Sequence, residues 1–208
     1  LFDLNESHMA ETKSRKREIR HVRLGDIATL MTGYPTYRLR GDAGAMVLIV
    51  SVKDLENASN PSWQLSSISV PDFNRIENFR LQPGDVIITA RGASLKSALV
   101  PERWSGAVLS SNLIAVRLLE QLYPELLVAF LQSLKGQRAI ERRLKKTGLL
   151  NITLKELGEI EVPVPPKEDQ QELVELIRLD ETQYSEAIHA AELRRSLVRS
   201  IVLERLLG

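Results

Sequence analysis

The stretch NITLKELGEIEVPVPPKEDQQELVELI, residues 151–177, decides how this chain is divided. Thr153 stands three residues before Glu156, the spacing at which a side-chain oxygen and a carboxylate satisfy each other's helix-start N–H groups. Ile160-Glu161-Val162-Pro163-Val164 then alternates as an extended segment does. Pro163, Pro165 and Pro166 forbid helix before Lys167 and bias the chain to extended geometry. From Glu168 to Leu207 there is neither Gly nor Pro. Apolar or small residues recur there at Leu173, Ile177, Tyr184, Ala187, Ala191, Val198 and Ile201, with Ile188 beside them, and Asp180 and Arg194 interrupt the seam. Forty helical residues extend about 60 Å at 1.5 Å per residue, longer than a domain of this size needs. A helix of that length with an apolar stripe predicts a partner helix, from its own chain or another. The competing expectation is a broken helix folded back on the body.

Working outward, the rest of the chain divides into a leader (1–21), a body (22–166) and this helix (167–208). Ser7-His8-Met9 has the look of a cloning junction, and residues 1–9 are set aside from the fold. In the body, His21–Ala28 reads as a short strand and a helical turn, and Ala45–Val50 as a buried, β-branched strand. TGYPTYRLRGDAG (32–44) between them is a loop. Leu81–Asp85 is a turn into a second buried strand, Val86–Ala90. Short strands follow at 98–100, 107–109 and 112–118, and then helical spacing over 123–145, with Leu126, Leu127, Phe130, Leu131 and Leu134 on one face. Short strands with little helix between them, then helix, predict an α+β domain rather than a doubly wound sheet. LIVSVKDL (48–55) and LNITLKEL (150–157) read as two similar strand-to-helix junctions, with Ser51 before Asp54 matching Thr153 before Glu156.

Composition narrows the chemistry. The 208 residues are 43% hydrophobic, enough for one sizeable core or a domain with an appendage. There is no cysteine, which excludes disulfides, thiolate metal sites and cysteine nucleophiles. No apolar run approaches ~18 residues, so no membrane span is expected and the cytoplasm is the default location. Net charge is +1, but residues 22–166 carry 17 Lys/Arg against 14 Asp/Glu, and 167–208 carry 6 against 9. A mildly basic body and an acidic tail suit a body that meets phosphates.

The three histidines, His8, His21 and His189, form neither a Ser-His-Asp set nor a pair with ligand spacing. Asn60-Pro61-Ser62-Trp63 resembles the base-flipping tetrapeptide of amino-group DNA methyltransferases, but with serine in place of the second proline. The chain also has no Gly-x-Gly, hence no glycine-rich cofactor loop, so a turn and a packed Trp63 are expected there. The only acid-x-Lys triplet of the nuclease type, Glu11-Thr12-Lys13, falls in the leader. No catalytic residue, metal or cofactor is expected. Binding features are richer. Tyr34, Tyr37, Arg38 and Arg40 combine aromatics with guanidinium forks that match guanine edges and phosphates. Arg91 and Lys96 flank a Gly-containing turn after a buried strand, where backbone N–H groups approach an anion. Arg138, Arg142, Arg143, Lys145 and Lys146 make a basic helix end, a place where cations also suit the helix dipole.

LGDIATLMTGYP, LQPGDVIITARG, SSNLIAVRL and the opening stretch occur in this order over residues 22 to about 207. Together they resemble a target-recognition domain, with its following helix, of the specificity subunit of type I restriction-modification systems. The resemblance implies a non-catalytic subunit that reads a half-site of double-stranded DNA, largely in the major groove. It also implies docking to modification and restriction subunits, which bring S-adenosylmethionine and ATP chemistry. Such subunits usually carry two recognition domains and two long helices paired antiparallel; one of each here makes this chain half of that plan. The expected DNA-binding residues are Tyr34, Tyr37, Arg38, Arg40, Arg91, Lys96, Lys145 and Lys146. A homodimer is expected through Leu173, Ile177, Tyr184, Ile188, Ala191, Val198 and Ile201, the two helices forming a coiled coil. The alternative is a protein-interaction adaptor that self-associates through the same helix.

Overall fold

The computed structural model describes residues 18–34, 45–60, 62–70, 73–143 and 150–208. An antiparallel sheet of four strands forms the centre, in the order β2 (Ala28–Thr32), β9 (Leu113–Leu118), β5 (Val86–Thr89), β7 (Ser97–Leu99). Both faces of this sheet are covered, so β5 (VIIT) is buried at all four positions and reads as an unbroken apolar run. Val86 and Ile88 of β5, with Ile114 and Val116 of β9, face one core. Ile87, Leu113 and Ala115 face a second.

The first core is closed by α1 (Leu24–Ile27), α2 (Pro124–Gln132), α3 (Leu134–Glu141), α4 (Leu154–Gly158) and β11 (Glu161–Val164). β11 pairs antiparallel with β1 (Arg20–Arg23), placing Val162 opposite Val22. The second core is closed by the 3₁₀ turn Val52–Asn57 and by Trp104. Beyond it, β3 (Ala45–Val50) lies between antiparallel β4 (Ser66–Val70) and parallel β8 (Val108–Leu109). The α+β expectation therefore holds, with helices gathered on one face of an antiparallel sheet.

Three local readings are met and one is corrected. Thr153 and Glu156 close the capping box that starts α4, the carboxylate accepting from the Thr153 N–H at 2.8 Å. Ser51 and Asp54 do the same for the 3₁₀ turn, where the Asp54 carboxylate also accepts from the Trp63 indole at 2.9 Å. Asn60 starts a turn, its side chain accepting from the Ser62 N–H, and Trp63 packs on the second core. The uninterrupted helical spacing after residue 123 is instead two helices. Ser133 is extended between them; its hydroxyl donates to the Phe130 carbonyl and accepts from the Gly136 N–H. Gly136 sits so close to the preceding helix that a Cβ would lie 2.0 Å from the Phe130 oxygen. The break leaves Leu134 73% exposed, off the face it was expected to share.

After Pro165-Pro166, α5 runs unbroken from Lys167 to Leu207. Its start is seated by Gln170, which is buried: the side chain accepts from the Tyr123 N–H and donates to the carbonyls of Gln121 and Pro165. Arg178 donates from Nε to Glu125 of α2 at 2.9 Å. The carboxylate raises the guanidinium's pKa through that hydrogen bond. Farther along, a cleft of about 900 Å³ separates α5 from α2 and from Lys96–Leu99, with Ile177 and Glu181 on the helix side. A second, smaller cleft faces Tyr184, Ile188 and Glu192 toward Glu56, Asn57, Ser59, Asn60 and Ser62.

Candidate nucleic-acid interface

The strand registers bring the loops to two ends of the central sheet. Thr32 of β2 is opposite Ile114, Thr89 of β5 is opposite Leu113, and Ile88 is opposite Ser97 of β7. The C-termini of β2 and β5 and the N-termini of β9 and β7 thus share one end. β6 (Arg91–Gly92) and β10 (Leu150–Asn151) pair there as a short antiparallel ladder.

Backbone hydrogen bonds lock this end together. The Asn112 carbonyl accepts from the N–H groups of both Ala90 and Arg91, and the Ala90 carbonyl accepts from Ile152. Tyr34 donates its N–H to the Leu109 carbonyl, and Gly33 to Leu113. Gly33 is required there, since a Cβ would lie 1.8 Å from the Ser110 carbonyl oxygen. Four separated sequence segments therefore meet within one network: Gly33-Tyr34, Ala90-Arg91, Ser110–Asn112 and Leu150–Ile152.

The opposite end is a salt-bridged turn. Buried Asp85 accepts from the Gln82 N–H, and from Nε and Nη2 of Arg117 at 2.8 Å each. The hydrogen bonds to Asp85 raise the Arg117 pKa, so its charge is committed to the fold. Arg103 is likewise committed, donating to the carbonyls of Ala58 and Asn60, and burial lowers its pKa.

Of the residues expected to bind DNA, Arg91 is exposed at the first end, its Nε donating to the Asn151 side chain at 3.3 Å. Lys96 is at the same end but forms an ion pair with Glu56 at 2.7 Å and borders the large cleft. Tyr34 packs edge-on against Phe79, ring centroids 5.1 Å apart, as part of a satellite core. Tyr37, Arg38, Arg40, Lys145 and Lys146 lie outside the described residues. Tyr34 and Leu150, which are described, are at this end. Arg143 pairs with Glu159 at 2.6 Å. Sequence reasoning passed over Asn112 and Asn151; their spacing from Ala90 and Arg91 gives no sign of contact. Among the described residues no group of three or more His, Asp or Glu could hold a metal ion, and no helix is long and apolar enough to cross a membrane.

A family model described as the type I restriction modification DNA specificity domain matches residues 16–190, well over half of the chain. This chain belongs to that family. Several solved structures share its fold. One, from work on complex assembly and conformational transition of the type I R-M system, is 19% identical with a TM-score of 0.58, covering 96% of this chain and 50% of that one. The HsdS subunit from Thermoanaerobacter tengcongensis is 21% identical with a TM-score of 0.54, covering 89% and 44%. The type I restriction-modification S subunit from M. genitalium is 18% identical with a TM-score of 0.52, covering 92% and 47%. The chain thus spans about half the length of each of these structures. No curated protein matches it by sequence.

The dimerisation residues expected from the apolar seam are distributed along α5. Leu173, Tyr184, Ile188, Ala191, Val198 and Ile201 are exposed, and Ile177 is half-buried on the cleft. At 3.6 residues per turn, Val174, Arg178 and Ser185 point toward the body, and a second apolar row points away from it: Leu176, Leu179, Leu193 and Leu197. The seam read from sequence runs along the flank between these two directions, and the outer row was missed.

Proposed function

We propose that this chain reads one half-site of a duplex DNA target with the Tyr34/Arg91/Asn112/Asn151 end of its sheet. On this reading α5 sets the spacing to a second recognition body and docks the modification and restriction subunits, which carry the chemistry. The observation that supports the reading is the convergence of four separated segments on one end of the central sheet, where Arg91 is exposed. Arg91 is free to extend a guanidinium fork toward a base edge or phosphate, with Asn151 fixing its root.

Charge along α5 favours pairing with a second copy, antiparallel. Residues 167–192 carry two cations and eight acids, whereas 193–207 carry four cations and one acid. Antiparallel pairing sets the cationic tip of each helix against an acidic stretch of the other; parallel pairing sets like against like. Two identical bodies at opposite ends would then read a palindromic bipartite site.

Binding of mixed-sequence duplex as salt is raised tests the DNA reading: affinity should fall steeply through counterion release. Arg91→Ala should lose about 1–3 kcal/mol against the cognate site if it reads a base. A chain that leaves duplex unbound at low salt is a protein adaptor instead. Replacing Ile177, Tyr184, Val198 and Ile201 with polar residues should give monomers in sedimentation with the body still folded. An unmodified chain that sediments as a monomer at micromolar concentrations sinks the homodimer.

A further inference from the structure

The outer face of α3 carries charge that the fold does not use. Lys135, Arg138 and Arg142 are spaced by three and four residues, lie on one helix face and are exposed. The opposite side of the helix is anchored by buried Gly136 and Ile140. Among the described residues none of the three cations is ion-paired. The helix dipole accounts for Arg142 at the C-terminus but not for Lys135, which occupies the first turn, where a cation is disfavoured. The start of the helix lies beside the proposed DNA end of the sheet. Just before it, at the end of α2, the Gln132 side chain donates to the Ser97 carbonyl on the β7 edge. Just past its end, Arg143 is held by Glu159, beside Gly158, whose ideal Cβ position is 3.3 Å from Leu30 in the middle of β2.

The geometry points to the Lys135/Arg138/Arg142 face as a non-specific clamp on the DNA phosphate backbone, flanking the end of the sheet that reads the half-site. This rests on the DNA-reading role proposed above and adds a surface with a separate task. The three cations span about 10 Å at 1.5 Å per residue, along a ligand that carries one negative charge per about 1.7 Å of its axis. Such a face strengthens binding to every sequence alike and leaves the choice between sequences to the loops. Glu141, three residues after Arg138, is the one acid on this helix and opposes the clamp.

The test uses the full chain and a mixed-sequence duplex over a salt series. Lys135→Gln, Arg138→Gln and Arg142→Gln keep good helix formers in place. Each should lower the slope of log affinity against log salt by about 0.9, and the three together by about 2.7. The ratio of cognate to mixed-sequence affinity should stay unchanged. Glu141→Gln should tighten duplex binding at low salt, a gain that a damaged fold cannot imitate. If the parent binds duplex with a steep slope and neither the triple variant nor Glu141→Gln moves it, the clamp is wrong while the DNA reading stands. If the parent binds no duplex, the DNA reading fails and the clamp with it. A triple variant that changes sedimentation but not DNA binding would assign this face to the acidic stretch of a second copy's helix and overturn the clamp.

Discussion

The body and the long helix are built on opposite terms. Among the described residues of the body most large apolar side chains are spent internally: the central sheet is covered on both faces, and the pair of Arg117 with buried Asp85 serves to close a turn. In α5 only Gln170 and Val174 are buried, and leucines stand in solvent along most of its length. Fully burying such a side chain is worth about 1.5–3 kcal/mol, so the body's stability is its own and the helix's is borrowed from whatever covers it. An apolar residue therefore means different things in the two regions, core in one and interface in the other.

The sharpest break of that contrast is a matched pair of truncations. Leu127→Ala, in the first core, should cost about 2–5 kcal/mol in denaturant unfolding. Leu193→Ala, on the outer row of α5, should change the unfolding of the monomeric body by no more than about 0.5 kcal/mol. Equal costs would mean that the helix is part of the body's fold.

A smaller effect is expected where the two regions join. Gln170→Ala strands the Tyr123 N–H and the Pro165 carbonyl and should cost about 1–3 kcal/mol, toward the low end because Gln121 is exposed. If thermal unfolding is unchanged, the seat of the helix depends on the prolines alone.

The smallest effect is a pH dependence. Partial burial against the cleft, then the charges of Glu125 and Asp180, raise the pKa of Glu181, with Arg178 opposing. For an acid with a raised pKa in the folded state, the favourable contribution is present below the ordinary glutamate range and lost as pH rises through the raised value. The helix seat should thus loosen slightly across that window, and Glu181→Gln should flatten the dependence. An identical pH profile for the variant would remove Glu181 from the joint.

What could be read in advance divides along the same line. Strands β5 and β9, the capping box at Thr153, the proline stop and the uninterrupted α5 are local patterns, and periodicity or a three-residue spacing suffices to see them. The break between α2 and α3 is not local. Phe130, Leu131 and Leu134 keep helical spacing through it, and its causes are the Ser133 hydroxyl and the close approach at Gly136. The interface was half legible for the same reason. Arg91 stands out as an arginine beside a glycine after a buried strand. Its partner Asn151 is 60 residues away and joined through a two-residue ladder that no pattern announces. Tyr34 and Lys96 look like binding residues until Phe79 and Glu56 are brought to them by the fold.

Hydrogen exchange of the full chain, with and without saturating duplex DNA, tests this division of labour most directly. Expected is slowed exchange at 33–34, 90–97, 110–112 and 150–152 and along α3, with no change at 82–86, at 118–123 or beyond residue 192. Protection concentrated on α5 or at the Asp85–Arg117 end, with the first set unchanged, would contradict the assignment of DNA reading to the Arg91 end of the sheet.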